Sequence, residues 1–142
     1  MTGEQARRRV GRRGAVLLIL AAVDIGVGLS YIFPTAETAA SQSAQWRDSL
    51  APTEFWGALW IVVGLCCLTA AFFRNDTPGF APAVGLKVTW SVLELSGWLS
   101  GAIAQGYRPA LIWAGYALLI FVVAGLSEPT RRGKLREPGG QP

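Results

Sequence analysis

The chain alternates between long apolar segments and short polar ones. Four apolar runs stand out, at residues 14–33, 55–73, 80–104 and 109–126. Because a helix needs about 20 predominantly apolar residues to cross the hydrocarbon core, each run is long enough to span a bilayer. The pattern predicts an all-α fold: an integral membrane four-helix bundle whose transmembrane domain covers residues 14–126.

The polar segments between the runs predict two tight turns and one long connection. Asn, Asp, Pro and Gly occur together in 74–79, which is typical of a turn. Residues 105–108 lead into Pro109, a residue that suits the first turn of a helix. The long connection, 34–54, carries Trp46 four residues before a leucine, and this spacing predicts a short helix on the membrane surface.

Basic residues collect at the two ends of the chain, with five arginines in 1–13 and four Lys or Arg residues in 127–142. Since basic residues favour the cytoplasmic side of a membrane, both termini are predicted to be cytoplasmic. Segment 1–13 is then a basic cytoplasmic tail, and 127–142 is a second basic tail that is predicted to be disordered. The net charge of +4 comes from these tails. This distribution of charge predicts a multi-pass protein of the bacterial plasma membrane, with no nucleic-acid partner.

Aromatic residues agree with this orientation. Tyr31, Trp46, Trp56 and Tyr107 cluster near the predicted outer boundary, where amphipathic rings serve as interface anchors. A cleaved signal peptide is the competing interpretation of the first run, because that run follows an Arg-rich start. Its length of about 20 apolar residues and the presence of Asp24 within it favour a retained helix.

The composition disfavours an enzyme. The chain contains no His, which removes the commonest general base and the commonest metal ligand. Cys66 and Cys67 are adjacent within an apolar run, so they predict neither a disulfide framework nor a metal site. No cofactor is predicted. One enzymatic route stays open, in which Asp24 and Glu94 act as an acid and base pair within the membrane.

Three charged residues interrupt the apolar runs: Asp24 in the first, and Lys87 and Glu94 in the third. On a helical wheel Ser91 lies about 40° and Glu94 about 20° from Lys87, so the three residues share one face. Counted from the cytoplasmic side, Asp24 lies about 15 Å deep and Lys87 about 10 Å deep, so the two are predicted to pair. Glu94 then needs Trp98, a serine, Tyr31 or water as a partner, or must be protonated.

Small residues predict where helices approach closely. Gly26 and Gly28 lie in the first run, and Gly97 and Gly101 form a GxxxG motif in the third. Such residues let the backbones of membrane helices pack together.

The polar cluster of Asp24, Lys87, Glu94 and Ser91 has two interpretations. It is either a clasp that fixes the packing of the helices, or the lining of a path for water or protons. Such a path would lie within one chain or between copies of it.

The runs RRGAVLLILAAVDIGVGLSYIF, EFWGALWIVVG and VGLKVTWSVLELSGWLSG resemble small four-helix membrane proteins of actinobacteria and their phages. The resemblance covers about residues 12–128 and rests on pattern alone. It implies a holin-like function, in which an oligomer permeabilises the membrane. The short chain, the tight turns and the polar stripes on apolar helices are similar to those of a phage holin.

The alternative function is a membrane accessory subunit or small transporter subunit, similar in layout to DoxX-like proteins and using the Asp/Lys/Glu cluster. Small multidrug exporters also resemble this chain in carrying a carboxylate in their first helix, where Asp24 stands here. Lys87 and the long 34–54 connection depart from that family. On every interpretation the partners are the lipid bilayer and either a homo-oligomer or another membrane protein.

Overall fold

A computed structural model describes residues 12–73 and 77–125 of the chain. Within these residues all regular structure is helical. The predicted tails, 1–13 and 127–142, fall outside this range except for Arg12 and Arg13, and so does the first half of the 74–79 turn. The described residues form six helices: α1 (Arg12–Ile32), α2 (Ala36–Ala39), α3 (Gln42–Asp48), α4 (Thr53–Ala70), α5 (Thr77–Leu99) and α6 (Tyr107–Gly125).

The four long helices correspond to the four apolar runs. Three of them, α1, α4 and α6, are long and apolar enough to cross a membrane. Helix α5 does not meet that criterion, although it has 23 residues. Its polar residues, Lys87 and Glu94 among them, lower its average hydropathy below that of its neighbours.

The long helices pack against one another in chain order. The most extensive contact joins α1 to α4, and the next joins α5 to α6. Helix α5 also packs along α4, where the Cys67 thiol donates to the carbonyl of Gly79 at 3.4 Å. At the same end of the fold, Arg13 near the start of α1 donates to the carbonyl of Ala124 near the end of α6 at 2.9 Å. The start of the first helix and the end of the last therefore lie side by side.

The contact between α1 and α4 depends on glycine. A Cβ atom added at Gly28 would lie 2.6 Å from Cγ1 of Ile61 and 2.8 Å from the carbonyl oxygen of Gly57. Gly57 and Gly64 of α4 are equally confined by α1. Gly28 therefore lies where α1 and α4 approach closely, whereas Gly26 faces away from the other helices, and a Cβ there would meet no atom within 4 Å.

The two short helices replace the single surface helix predicted in 34–54. Each begins with a capping side chain: the Thr35 hydroxyl accepts from the Thr38 N–H, and the Ser41 hydroxyl accepts from the Ala44 N–H, both at 3.2 Å. Helix α3 does not lie free on a surface. It packs against the end of α5, and the Gln42 side chain accepts from the N–H of Ala104 at 3.1 Å.

Helix α5 ends at Leu99, five residues before the predicted end. Gly101 adopts a φ of 79°, a left-handed conformation that glycine tolerates, and it stops the helix. The chain then folds back, so that the Ile103 N–H reaches the carbonyl of Gly97 at 3.0 Å. Gly97 leaves room for the side chains of Ile103 and Trp46. The predicted GxxxG pair therefore shapes a turn and not a seam between two long helices.

Candidate functional site: two buried ion pairs

The first ion pair joins α1 to α5. The ammonium group of Lys87 donates to Oδ1 of Asp24, and both residues are fully buried. The sequence predicted this pair from the depths of the two residues. Removing one partner of a buried ion pair typically costs about 3–5 kcal/mol, so each residue needs the other to be tolerated there.

Aromatic rings surround the Lys87 ammonium. Its nitrogen lies 4.4 Å from the ring centroid of Trp60 and 5.7 Å from that of Tyr116. Both distances are within the range in which a cation is attracted to the face of a ring. Among the described residues no group donates to the second carboxylate oxygen of Asp24.

The second ion pair joins the connection between α1 and α4 to α5. Arg47 of α3 donates from Nη1 to Oε1 of Glu94 at 2.7 Å, and the hydroxyl of Ser43 donates to Oε2 at 3.0 Å. The side chains of Arg47 and Glu94 are only 7% and 4% exposed. The sequence had left Glu94 with Trp98, a serine, Tyr31 or water as its partner. A serine is indeed one partner, but the main one is Arg47, which belongs to the connection 34–54.

Arg47 is held from several sides. Its guanidinium lies 5.2 Å from the ring centroid of Tyr31 and 5.8 Å from that of Trp90. Its backbone carbonyl accepts from Nε1 of Trp56 at 3.3 Å, and the same nitrogen donates to the carbonyl of Ala51 at 3.0 Å. These contacts fix α3 against α1, α4 and α5 through the one buried residue of the helix, Arg47.

Trp90 of α5 lies between the two ion pairs. Its ring makes edge-to-face contacts with Tyr31, Trp56 and Trp60, with centroids 5.7, 5.4 and 5.1 Å apart. It is 1% exposed. Edge-to-face packing is a favoured arrangement of aromatic rings, so Trp90 separates the charged pairs with a well-packed apolar layer.

Ser91 does not belong to the charged cluster. Its hydroxyl donates to the carbonyl of Ala110 at 2.8 Å and connects α5 to α6. The wheel placed it about 40° from Lys87, and that angle turns its side chain toward a different helix. The predicted cluster of four residues is therefore two ion pairs and one separate hydrogen bond between helices.

The predicted interface anchors have different environments. Trp56 is buried in the core, with 8% of its surface exposed. Tyr31 and Trp46 are half-buried, Tyr31 between Arg47 and Trp90, and Trp46 beside Gly97. Tyr107 is the most exposed of the four and packs on the ring of Trp98, with centroids 5.5 Å apart.

The arrangement balances charge within one chain. Among the described residues two acidic and two basic side chains are buried, and each forms an ion pair across different elements of the fold. Within residues 12–73 and 77–125 there is no group of three or more Cys, Asp or Glu residues that could bind a metal ion. The geometry is suited to fastening elements together.

Comparison with known proteins adds no relative: no protein family, no curated protein and no solved structure matches the chain.

Sequence reasoning missed Arg47, Ser43 and the central position of Trp90. One signal for Arg47 was present in the charge balance. Asp24 and Lys87 neutralise each other, which leaves the charge of Glu94 uncompensated within the apolar runs. Arg47 is the only basic residue in the connection 34–54, and this connection was predicted to lie on the side of the membrane toward which Glu94 extends.

Proposed function

We propose that this chain is a non-enzymatic, multi-pass protein of the bacterial plasma membrane that acts as an accessory subunit or small transporter subunit. In this proposal the four long helices form a transmembrane four-helix bundle with both termini in the cytoplasm. The buried charges hold the bundle in one shape, and its outer faces contact lipid and a partner membrane protein. The observation that carries the proposal is the pair of buried ion pairs, Asp24–Lys87 and Arg47–Glu94.

The proposal treats α5 as a fourth span, and the position of the helix ends supports this. Arg13 and Ala124 are 2.9 Å apart, so the chain enters α1 and leaves α6 at the same end of the fold. Three crossings would leave the two ends on opposite sides of a membrane, whereas four return the chain to its starting side. With a length of about 34 Å, α5 is long enough to cross. Pairing removes much of the cost of its two charges.

The basic tails then define the orientation. Nine of the 13 Lys and Arg residues lie in 1–13 and 127–142, and both segments connect to the end of the fold where Arg13 meets Ala124. Because Lys and Arg are retained on the cytoplasmic side, this end is cytoplasmic. Helix α3 and the Arg47–Glu94 pair are then near the outer side.

The same ion pairs favour the accessory function over the holin-like one. In the holin-like function an oligomer opens a pore in the membrane, and such a pore needs polar groups on helix faces that can be exposed to water. Here each buried charged group has an ion-pair partner inside one chain. The outward positions of the long helices carry large apolar residues, including Ile19, Val62 and Leu119, which are 62%, 56% and 59% exposed. Such faces fit lipid or the apolar face of another membrane protein.

Inducible expression in a bacterial host tests the proposal. Culture density and the entry of a membrane-impermeant dye are followed over time, and the protein is then extracted from the membrane fraction with its partners. The proposal expects continued growth, an intact membrane and a co-purifying membrane protein that is reduced in an Arg47→Leu variant. Abrupt dye entry after a lag would contradict it and support membrane permeabilisation instead.

A further inference from the structure

A small pocket lies between the end of α1, the two short helices and the start of α4. Its volume is about 40 Å³. One water molecule needs about 10–15 Å³ of such space, so the pocket has room for roughly three waters at most. The walls carry hydroxyl groups and charges of both signs, from Tyr31, Thr38, Arg47, Asp48 and Thr53.

Two opposite charges line this pocket without pairing with each other. Arg47 and Asp48 are neighbours in α3, and both belong to the lining. Arg47 forms its ion pair with Glu94, and the Asp48 carboxylate accepts from the Thr53 hydroxyl. A guanidinium can only donate hydrogen bonds and a carboxylate can only accept them. The pocket therefore presents a donor and an acceptor to whatever occupies it.

Most of the hydrogen-bonding capacity of Arg47 is unused by the protein. The guanidinium has five N–H donors, and its one hydrogen bond to a described residue uses Nη1. Its Nε is buried and has no partner among the described residues, although only 6% of the residue is exposed. Because a buried donor without a partner is costly, an acceptor in the adjoining pocket would stabilise this side chain.

We propose that the pocket binds ordered water, and that one of its water molecules accepts from the Arg47 guanidinium and donates to the Asp48 carboxylate. Water supplies both functions in a molecule small enough for the space. An anion in the pocket would face the Asp48 carboxylate, and a cation would face Arg47, so a neutral occupant fits best. The inference goes beyond the proposed function and does not depend on it, because the pocket is formed within one chain whatever that chain does.

The water is detected by NMR on the full chain, isotope-labelled at the arginine and tryptophan nitrogens and purified in a mild detergent. Arg47→Lys identifies the Nε–H signal of Arg47 by its loss. We expect this N–H to show NOE and ROE cross peaks of opposite sign with water, the pattern of a water molecule held in place. Hydrogen exchange with bulk water gives two peaks of the same sign instead.

Trp60 provides a control in the same sample. Its Nε1 is also buried without a partner among the described residues, but Trp60 does not line the pocket. The Nε1–H of Trp60 should therefore show no cross peak with bound water. The comparison separates water in the pocket from water that reaches any unpaired N–H group in the core.

A matched pair of variants tests the location of the water. Ala44→Leu fills the pocket from α3, whereas Ala58→Leu adds the same side chain to an exposed position of α4 outside the pocket. The first should remove the water cross peaks of Arg47, and the second should keep them. Gel filtration verifies that each variant is monodisperse. If Ala44→Leu does not fold, Ala39→Leu fills the same pocket from α2 and takes its place.

Three results would overturn the inference. The first is the absence of a water cross peak at the Arg47 Nε–H of the wild-type chain, or peaks of equal sign that report exchange alone. The second is an equal signal at Trp60, which would show that the pocket is not what holds the water. The third is a water signal at Arg47 that persists when the pocket is filled.

Discussion

Arg47 forms a 2.7 Å ion pair with Glu94, although the two residues are 47 positions apart and Arg47 belongs to a short helix in the connection between α1 and α4. A polar connection thereby supplies the counter-charge for a residue inside an apolar helix. The connection is largely exposed, but Arg47 ties it to the core. Any account of the four long helices must therefore include α3.

We predict that Arg47→Leu destabilises the protein by about 3–5 kcal/mol, because it leaves the buried Glu94 carboxylate without its cation. Arg47→Leu combined with Glu94→Leu should cost clearly less than the sum of the two single changes, because the pair is removed as a unit. The free energy of unfolding is measured in mixed micelles with a rising SDS fraction. Arg108→Leu, at an exposed position, is the control and should change stability by less than about 0.5 kcal/mol. Additive losses for the pair would show that Arg47 and Glu94 act independently.

A second set of single and double substitutions tests the Asp24–Lys87 pair. Lys87→Leu alone should destabilise the protein more than Lys87→Leu combined with Asp24→Asn, since the double variant leaves no unpaired carboxylate. We expect the single change to cost about 3–5 kcal/mol and the double change to recover a large part of that loss. The same SDS titration measures both. A double variant that is less stable than the single one would argue against a stabilising pair.

Gly28 and Gly26 offer a matched comparison on one helix. Gly28→Ala should destabilise the protein by roughly 1–3 kcal/mol, because the added methyl group meets Ile61 and the Gly57 carbonyl. Gly26→Ala meets no atom within 4 Å and should leave stability unchanged or raise it by up to about 1 kcal/mol, since alanine favours a helix. Equal effects of the two changes in the SDS titration would mean that α1 and α4 do not pack through Gly28.

The fourth span is tested by thiol labelling in intact cells. Single cysteines are introduced at positions 75 and 102, before and after α5, in a chain that carries Cys66→Ala and Cys67→Ala. A membrane-impermeant maleimide should label Ala102→Cys from outside and should label Asn75→Cys only after the membrane is permeabilised. Labelling of both positions from the same side would show that α5 does not cross.

The long helices could be predicted from the sequence because apolar runs of about 20 residues have few alternatives in a membrane. Their ends were less predictable. The run that contains α5 continues through Ile103, and this residue is buried, but it is buried in a turn that folds back onto Gly97. Hydropathy indicates which residues avoid water, and it does not distinguish a helix from a packed turn.

The candidate site also has one ion pair that could be predicted from the sequence and one that could not. The Asp24–Lys87 pair could be predicted from the sequence, because the depth of each residue follows from its distance along a regular helix from the cytoplasmic end. The Arg47–Glu94 pair depends on how an irregular connection folds back over the helices, and no periodicity in 34–54 encodes that path. Ser91 shows how accurately a helical wheel must be read. It lies only about 40° from Lys87, yet its side chain contacts α6 and not the ion pairs.

The central claim is that the buried charges fasten the helices and do not line a path through the membrane. The most direct measurement is the retention of a proton gradient and of a trapped dye by vesicles that contain the purified protein. We predict that wild-type vesicles retain both as well as protein-free vesicles do, and that Asp24→Asn lowers the stability of the protein without changing the leak. A leak through the wild-type protein that Asp24→Asn or Glu94→Gln abolishes would contradict the claim, because those carboxylates would then line the path.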